Sequence, residues 1–383
     1  MTARNIFAQR LSETEGQCME YRIIPHSGEK VSVIGLGMGS MHEASVDETE
    51  RTVLEAIDAG INVMDFIPSR ANAFEGYARA LKTRREKVLL QVHLGANYAS
   101  GEYGWTTNAK IARREFQARL DLLGTDYADF GFIHCIDEER DFDAVMNGGI
   151  WDYAFQLKKE GAIRYLAFST HDVSIARKFI ETGAMDWAMF SINPMYDYTE
   201  VSAYGKEEAT DRMQLYREFE RAGIGVSVMK AFAAGQLLDV QRSPFGKALT
   251  RAQCIQYALD RPGVKTVLPG VRGLQDLHEV LAYLDATPEE RDYSILSTMA
   301  PLSDQGACVY CNHCQPCPQG LSIGLINKYY DLACMGDEMA ANHYRELEMH
   351  ASDCTSCGHC DSRCPFGVAQ SDRMQEIADY FGE

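Results

Sequence analysis

Short apolar runs alternate along most of the chain with longer segments whose apolar residues return every three or four positions. The first kind reads as buried β-strand, the second as amphipathic helix. Val31–Gly35 opens the series as a strand, fed by a short hairpin in MEYRIIPHSGEK. ETERTVLEAIDAG predicts a helix ended by glycine, followed by the run INVMDF. FEGYARALKTRREK leads into VLLQVH, AKIARREFQARLDLLG into ADFGFIH, and AVMNGGIWDYAFQLKKEG into IRYLAFS. SIARKFIETG precedes DWAMFSI, QLYREFERAG precedes IGVSVMK, and LTRAQCIQYALDRPG precedes VKTVLPG. Eight strands separated by helices predict a parallel sheet, and eight such units close as a (β/α)8 TIM barrel, an α/β fold. A doubly wound open sheet is the alternative. GLGMGS lacks the spacing of a dinucleotide-binding G-x-G-x-x-G with its acidic partner.

The alternation stops at both ends. Residues 1–18 have little periodicity and read as an N-terminal extension. The barrel occupies 19–299, its helices ending near Met299, and APLSDQGA is a linker. Residues 300–383 form a small α-helical, ferredoxin-like domain, in which SIGLINKYYDLACMGDEMAANHYREL is helical and Cys334 is a packed apolar side chain.

Two cysteine runs dominate that last domain: CVYCNHCQPCPQG and CTSCGHCDSRCPFG. The second is C-x2-C-x2-C-x3-C-P, the ligand spacing of two-cluster bacterial ferredoxins; the first has one residue fewer before its last cysteine. Three thiolates at this spacing wrap one 4Fe–4S cubane, and the fourth reaches across to the other cluster. Cys308, Cys311, Cys314 and Cys364 are therefore expected to hold one cluster, and Cys354, Cys357, Cys360 and Cys317 the second. Structural zinc favours two separated cysteine or histidine pairs and fits these crowded runs less well. A disulfide framework fits poorly in so long a chain without a signal peptide. His313 and His359 precede the third cysteine of each run and read as neighbours that tune the sulfurs.

Composition narrows the partners. The chain has 383 residues and a formal charge of -18, which repels phosphate backbones and anionic membranes, so neither nucleic acid nor membrane is expected as a partner. Twelve cysteines point to a reducing compartment. MTARNIFAQRLSETEGQ lacks the apolar core of a signal peptide, and no run is long enough to span a bilayer. The expected location is the cytoplasm, and exposed 4Fe–4S clusters suit an anaerobic host.

Active sites of TIM barrels lie at the C-terminal ends of the strands. Those ends carry Asp65, His93, His134, Ser169 with His171, Asn193, Met229 with Lys230, and Gly270 with Arg272. Any one of them could be a polar residue satisfying its own loop. Titratable groups at three consecutive strand ends make a stronger case for chemistry.

Residues 19–295 resemble the aldo/keto reductases, especially the subgroup with a C-terminal ferredoxin-like domain. The resemblance rests on Gly35–Gly37 and on GINVMDF, LDLLGTDYADFGFIH, GAIRYLAFSTH, MKAFAAGQL and VLPGVRG, which together span nearly the whole barrel. In that family an aspartate, a tyrosine, a lysine and a histidine surround the nicotinamide and the substrate carbonyl, with tyrosine as proton donor. The resemblance puts Asp65 and His134 at the aspartate and histidine. Arg70 stands where the tyrosine is expected, and His93 where the lysine is. A guanidinium does not give up its proton, so Arg70 reads instead as a bidentate clamp for a carboxylate or phosphate. His93 and His134 become the candidate proton donors, with Tyr98 or Tyr103 on the next loop as replacements for the lost hydroxyl.

The resemblance also implies a nicotinamide site, for which Ser169, Lys230, Gly270 and Arg272 are the candidates here. Asp276 and Val280 stand where the family has arginine or glutamine and then asparagine. An aspartate there opposes a 2′-phosphate, leaving open NADH or a mouth that uses no nicotinamide. Three functions fit these residues. The first is an iron–sulfur oxidoreductase acting on a small organic molecule, anionic ones included, its electrons passing through two 4Fe–4S clusters from an electron-donor protein. The second is an NAD(P)-dependent carbonyl reductase with a modified acid–base set. The third is an electron-transfer subunit whose barrel has lost catalysis.

Overall fold

The computed structural model describes residues 18–41, 44–71, 73–198, 209–298, 308, 314–334, 338–345, 347–364 and 367–383. It opens with an antiparallel hairpin of β1 (Tyr21–Ile23) and β2 (Lys30–Ser32). The main elements follow as β3 (Leu36–Gly37), α1 (Val46–Asp58), β4 (Val63–Asp65), α2 (Ala73–Leu81) and β5 (Leu89–Leu94). A small hairpin of β6 (Ala96–Asn97) and β7 (Gly104–Trp105) precedes α3 (Ala109–Leu123) and β8 (Ala128–Ile133). Next come α4 (Glu139–Asn147), α5 (Ile150–Glu160), β9 (Ile163–Thr170), α6 (Val173–Glu181), β10 (Trp187–Ser191) and α7 (Pro194–Tyr198). The barrel ends with α8 (Ala209–Arg221), β11 (Gly225–Met229), α9 (Arg251–Leu259), β12 (Val264–Val267), α10 (Leu274–Leu281) and α11 (Pro288–Arg291).

The strands stand in the order β12-β11-β10-β9-β8-β5-β4-β3, each pair parallel. The sheet curls until its edges meet. Ile34 bridges Val267, Gly37 bridges Gly270, and the Gly35 N–H donates to the Val267 carbonyl at 2.8 Å. This closure explains one departure from the expected elements. Val31–Gly35 is not one strand: Lys30–Ser32 belongs to the first hairpin, while Val33 and Gly35 make the closing bonds to Val267. Likewise AVMNGGIWDYAFQLKKEG is two helices, broken at Gly148–Gly149, where Gly149 takes a left-handed φ of 92°.

Two apolar layers follow from the alternation of strand side chains. Residues facing outward pack under the helices, while Val63, Phe130, Phe132, Ala167, Trp187 and Met189 fill the cylinder. Trp187 fits because Gly225 has no side chain; a Cβ there would lie 2.2 Å from the indole ring. Ile24 and Val31 of the first hairpin plug the end where the strands begin, and Arg22 holds the plug by donating to the Leu259 and Val264 carbonyls, each at 2.7 Å. The end where the strands finish is left open.

The C-terminal part contains α12 (Ile323–Cys334), α13 (Glu338–Arg345) and α14 (Gln370–Phe381) around its own core of Leu321, Ile323, Ile326, Tyr344, Met374 and Ile377. Cys334, expected to be packed, is exposed at the last position of α12. This part docks on α8 through Arg217–Asp331 at 3.0 Å and Lys328–Glu220 at 3.2 Å. Glu220 also accepts from the Gly263 N–H just before β12, so the docking lies toward the plugged end, away from the open one. All of the expected extension at 1–18 except Cys18, and the linker around Met299, lie outside the described residues. No described helix is long and apolar enough to cross a membrane.

Candidate active site at the barrel mouth

Asp65 ends β4, His93 lies in β5, and His134 follows β8. Parallel pairing brings these neighbouring strands to the same height, and the three side chains meet in one line. His93 Nε2 is 2.7 Å from Asp65 Oδ1, and His93 Nδ1 is 2.8 Å from His134 Nδ1. Tyr103 Oη is 2.7 Å from His134 Nε2 and completes the line at the cavity. One assignment of protons satisfies every member. His93 donates from Nε2 to the carboxylate, His134 donates from Nδ1 to His93, and the Tyr103 hydroxyl donates to His134 Nε2. Burial, reinforced by repulsion from His93 and His171, pushes the His134 pKa well below the ordinary imidazole value. Burial raises the pKa of Tyr103, so its hydroxyl keeps its proton.

The loop after β4 decides which tyrosine takes part. Arg70 forms an antiparallel bridge with Glu102, the Ala71 N–H donates to the Gly101 carbonyl, and the Tyr103 N–H donates to the Ser69 carbonyl at 3.1 Å. This clasp carries Tyr103 into the mouth beside the segment that bears Arg70. Tyr98 is buried and donates its hydroxyl to the Pro68 carbonyl at 2.6 Å. The expectation that Arg70 clamps an anion in the mouth is corrected. Its side chain is 59% exposed, lies 3.9 Å from Glu102, and is not among the cavity-lining residues.

The cavity measures about 800 Å³, within the range of pockets for small ligands and cofactors. From Asp65, His93, His134 and Tyr103 it runs past Ser169 and Lys230 to Gly270, Arg272 and Asp276. All four expected cofactor residues therefore line it. The Ser169 hydroxyl accepts from the Cys135 N–H at 2.8 Å. Lys230 takes a left-handed φ of 58°, and burial lowers its pKa against the pull of Cys135 and Asp137. At the far end Arg272 grips Asp276 with both arms, at 2.7 and 3.0 Å, which holds that carboxyl below its usual pKa. Arg251 and Arg242 line the same end, and Arg251 is 2.7 Å from Glu279.

Sequence reasoning passed over the loop after β8. Cys135 and Asp137 follow His134, and His171 Nδ1 lies 2.9 Å from Asp137 Oδ2. Burial works against ionisation of Asp137, yet hydrogen bonds from His171 and Thr170 hold its pKa at about 2. Burial, with Asp137 alongside, pushes the Cys135 thiol up to about 12. The signal was a thiol, a carboxylate and an imidazole at two adjacent strand ends, where only the imidazoles were counted.

Among the expected metal ligands, Cys317, Cys354, Cys357 and Cys360 line a single cavity with Leu321, Ile323 and Met374. They are the four residues grouped above for the second cluster. The Ser356 N–H donates to Cys354 Sγ and the Val368 N–H to Cys364 Sγ, each at 3.4 Å. Cys314 is buried in the domain core, and Cys308 and Cys364 are half-buried. Cys311 and His313 lie outside the described residues. His359 is 3.2 Å from the Arg363 guanidinium, at the edge of the four-cysteine cavity.

A sequence profile of the aldo/keto reductase family matches residues 33–252, more than half of the chain. A curated protein from Mycobacterium sp. (strain MCS), described as an aldo-keto reductase, is 34% identical over 143 residues, which is 36% of this chain and 44% of that protein. The chain thus spans less than half the length of that relative. Among solved structures, the holo form of an aldo-keto reductase from Bacillus halodurans superposes with a TM-score of 0.59 at 21% identity, covering 74% of this chain and 97% of that one. A structure of a putative aldo-keto reductase from Pseudomonas aeruginosa gives 0.56 at 22% identity, covering 72% and 98%. At such identities the likeness is one of fold.

Proposed function

The chain belongs to the aldo/keto reductase family, and from that premise we propose an oxidoreductase that interconverts a carbonyl and a hydroxyl group on a small organic substrate at the barrel mouth. The observation that carries this reading is the unbroken line Asp65–His93–His134–Tyr103. A proton added at the Asp65–His93 pair reverses every bond in the line. His93 then donates to His134, His134 donates from Nε2 to the Tyr103 oxygen, and the tyrosine proton is free to pass to a substrate oxygen. Run backwards, Tyr103 takes the proton of a hydroxyl and the line passes one on toward Asp65. The low pKa of His134 keeps the charge off the middle of the line, where it would repel His93.

Binding follows from the rest of the cavity. Ser169, Lys230, Gly270 and Arg272 line the cavity that would hold a nicotinamide dinucleotide, and the Asp276 carboxylate opposes a 2′-phosphate, so NADH suits the site better than NADPH. In the C-terminal domain, Cys308, Cys311, Cys314 and Cys364 would hold one 4Fe–4S cluster, and Cys317, Cys354, Cys357 and Cys360 the other. Converging cysteines, an apolar lining and backbone N–H groups aimed at sulfur fit such clusters. Bound nicotinamide would supply or accept hydride at the mouth, and the clusters would exchange single electrons with a protein partner. A second reading, in which the clusters feed the mouth directly, is favoured by one observation. Asp276 engages the Arg272 fork that a nucleotide phosphate would otherwise use.

Steady-state kinetics with NADH and a panel of small carbonyl compounds test the proposal. Tyr103→Phe should lower kcat by about 100-fold or more with little change in KM. Tyr98→Phe should not lower it. In the parent, carbonyl reduction should slow as pH rises and hydroxyl oxidation should quicken. A Tyr103→Phe variant that turns over like the parent would remove the tyrosine from the chemistry.

A further inference from the structure

We propose that Cys135, Asp137 and His171 form a binding site for a zinc-class divalent cation on the wall of the mouth, with one coordination position open to the cavity. Their donor atoms all lie within 4.8 Å of one another. Asp137 Oδ2 is 2.9 Å from His171 Nδ1 and 3.7 Å from Cys135 Sγ. A tetrahedral zinc with bonds of about 2.0–2.3 Å needs donors roughly 3.3–3.6 Å apart, so the two pairs to Asp137 require only small adjustments, and the thiol–imidazole pair, within 4.8 Å, closes by about 1.3 Å at most.

The trio is held as ligand sets usually are. Asp137 Oδ1 accepts from the Thr170 hydroxyl at 3.0 Å and from the His171 N–H at 2.7 Å, which turns Oδ2 toward the other two donors. Cys135 has a φ of 52°, a conformation side-chain-bearing residues rarely adopt, and its N–H is tied to Ser169 Oγ. Cys135 and His171 both line the cavity, which leaves room beside the group for a fourth ligand. Three protein ligands with a vacant fourth position is the count of a catalytic zinc site, whereas structural zinc is closed by four. Thiolate and imidazole together select zinc-class ions over calcium or magnesium. The open position suits water or an oxygen of an anionic or carbonyl-bearing ligand. Lys230 lines the same cavity, so a metal bound there would repel its ammonium.

The proposal does not depend on Tyr103 or on any turnover, and it is tested by metal binding. Cluster-loaded full-length protein would be equilibrated with zinc and freed of excess. Its zinc and iron would then be counted and the zinc K-edge absorption recorded, a signal to which iron does not contribute. The expected result is about one zinc per chain beyond the iron, with one sulfur and otherwise nitrogen and oxygen neighbours. Cys135→Ser, Asp137→Asn and His171→Gln should each weaken zinc binding by about tenfold or more without changing the iron content. Failure to retain zinc would overturn the proposal, as would an all-sulfur shell, which would put the zinc in the cysteine runs. So would unchanged affinity in all three variants, which would leave the trio as a hydrogen-bonded clamp between two loops.

Discussion

The barrel mouth and the cysteine domain assemble their reactive groups in opposite ways. In the C-terminal domain Cys354, Cys357 and Cys360 stand three positions apart, and a single loop brings them to one cavity. Only Cys317 arrives from a distant run. At the mouth Asp65, His93, His134 and Tyr103 come from separate strand ends and a hairpin, and nothing local joins them. The two regions are also set apart in space. The ion pairs to α8 hold the cysteine domain toward the plugged end, and Trp187, Phe130 and Phe132 fill the barrel between that end and the mouth. The convergence of these cysteines is thus set largely by spacing along the chain. The hydrogen-bonded line at the mouth is set by which strands lie side by side, so each region should fail independently of the other.

The sharpest way to break that comparison is to empty one cluster. Anaerobic protein should carry about eight irons and eight acid-labile sulfides, and Cys317→Ser should lose about four irons. NADH-dependent turnover should then stay within about twofold of the parent, because Cys317 lies in the domain held at the plugged end. If turnover collapses together with the iron, the clusters feed the mouth and the regions are one machine.

A smaller effect probes the far end of the cavity. The parent should bind NADPH no better than NADH. Asp276→Asn removes the opposing carboxylate and releases the Arg272 fork, and one charge-assisted contact is worth about 1.5 kcal/mol, so the NADPH-to-NADH affinity ratio should rise about tenfold. Calorimetric titration of both cofactors measures it. An unchanged ratio would mean that the adenosine end lies elsewhere.

Of similar size is the pH dependence that comes from burying a neutral imidazole. His134 has a lowered folded pKa, while in the unfolded chain it titrates near the ordinary value of about 6.5. Its contribution to stability is therefore complete above that value. It is lost as pH falls toward the folded pKa, because the unfolded state takes up the proton first. The loss can reach about 1.4 kcal/mol per pH unit from this one group. Denaturant unfolding at pH 7.5 and pH 5 should show a shallower decline for His134→Asn than for the parent. Equal slopes would mean that His134 takes up its proton as readily in the fold as in the unfolded chain.

The least effect is expected at Arg70. Its guanidinium is mostly in water and its ion pair with Glu102 is long, so Arg70→Ala should change KM and kcat by less than about twofold and stability by about 0.5 kcal/mol or less. A tenfold rise in KM would return Arg70 to the substrate site.

The sequence by itself determined the run of strand–helix units, because short continuous apolar runs and stretches with an apolar period of about three and a half residues are local properties of a chain; closure into a barrel rests on the Ile34–Val267 bridge. It also determined which side chains reach the mouth, since a parallel barrel puts the strand ends on one face: Asp65, His93 and His134 were legible from position alone. Cys317, Cys354, Cys357 and Cys360, expected to share one cluster, line one cavity: spacing within a run marks the last three, and the cross-over pattern of paired runs adds Cys317. What only the tertiary structure decided is the identity of each side chain's partner. Tyr103 rather than Tyr98 ends the hydrogen-bonded line because the 101–103 segment pairs with the loop after β4. The same pairing turns Arg70 outward. Asp276 grips Arg272, and Asp137 draws Cys135 and His171 together across two loops. A hydrogen bond needs its atoms within about 3 Å and in line, and that tolerance is far finer than any pattern of apolar and polar positions can encode.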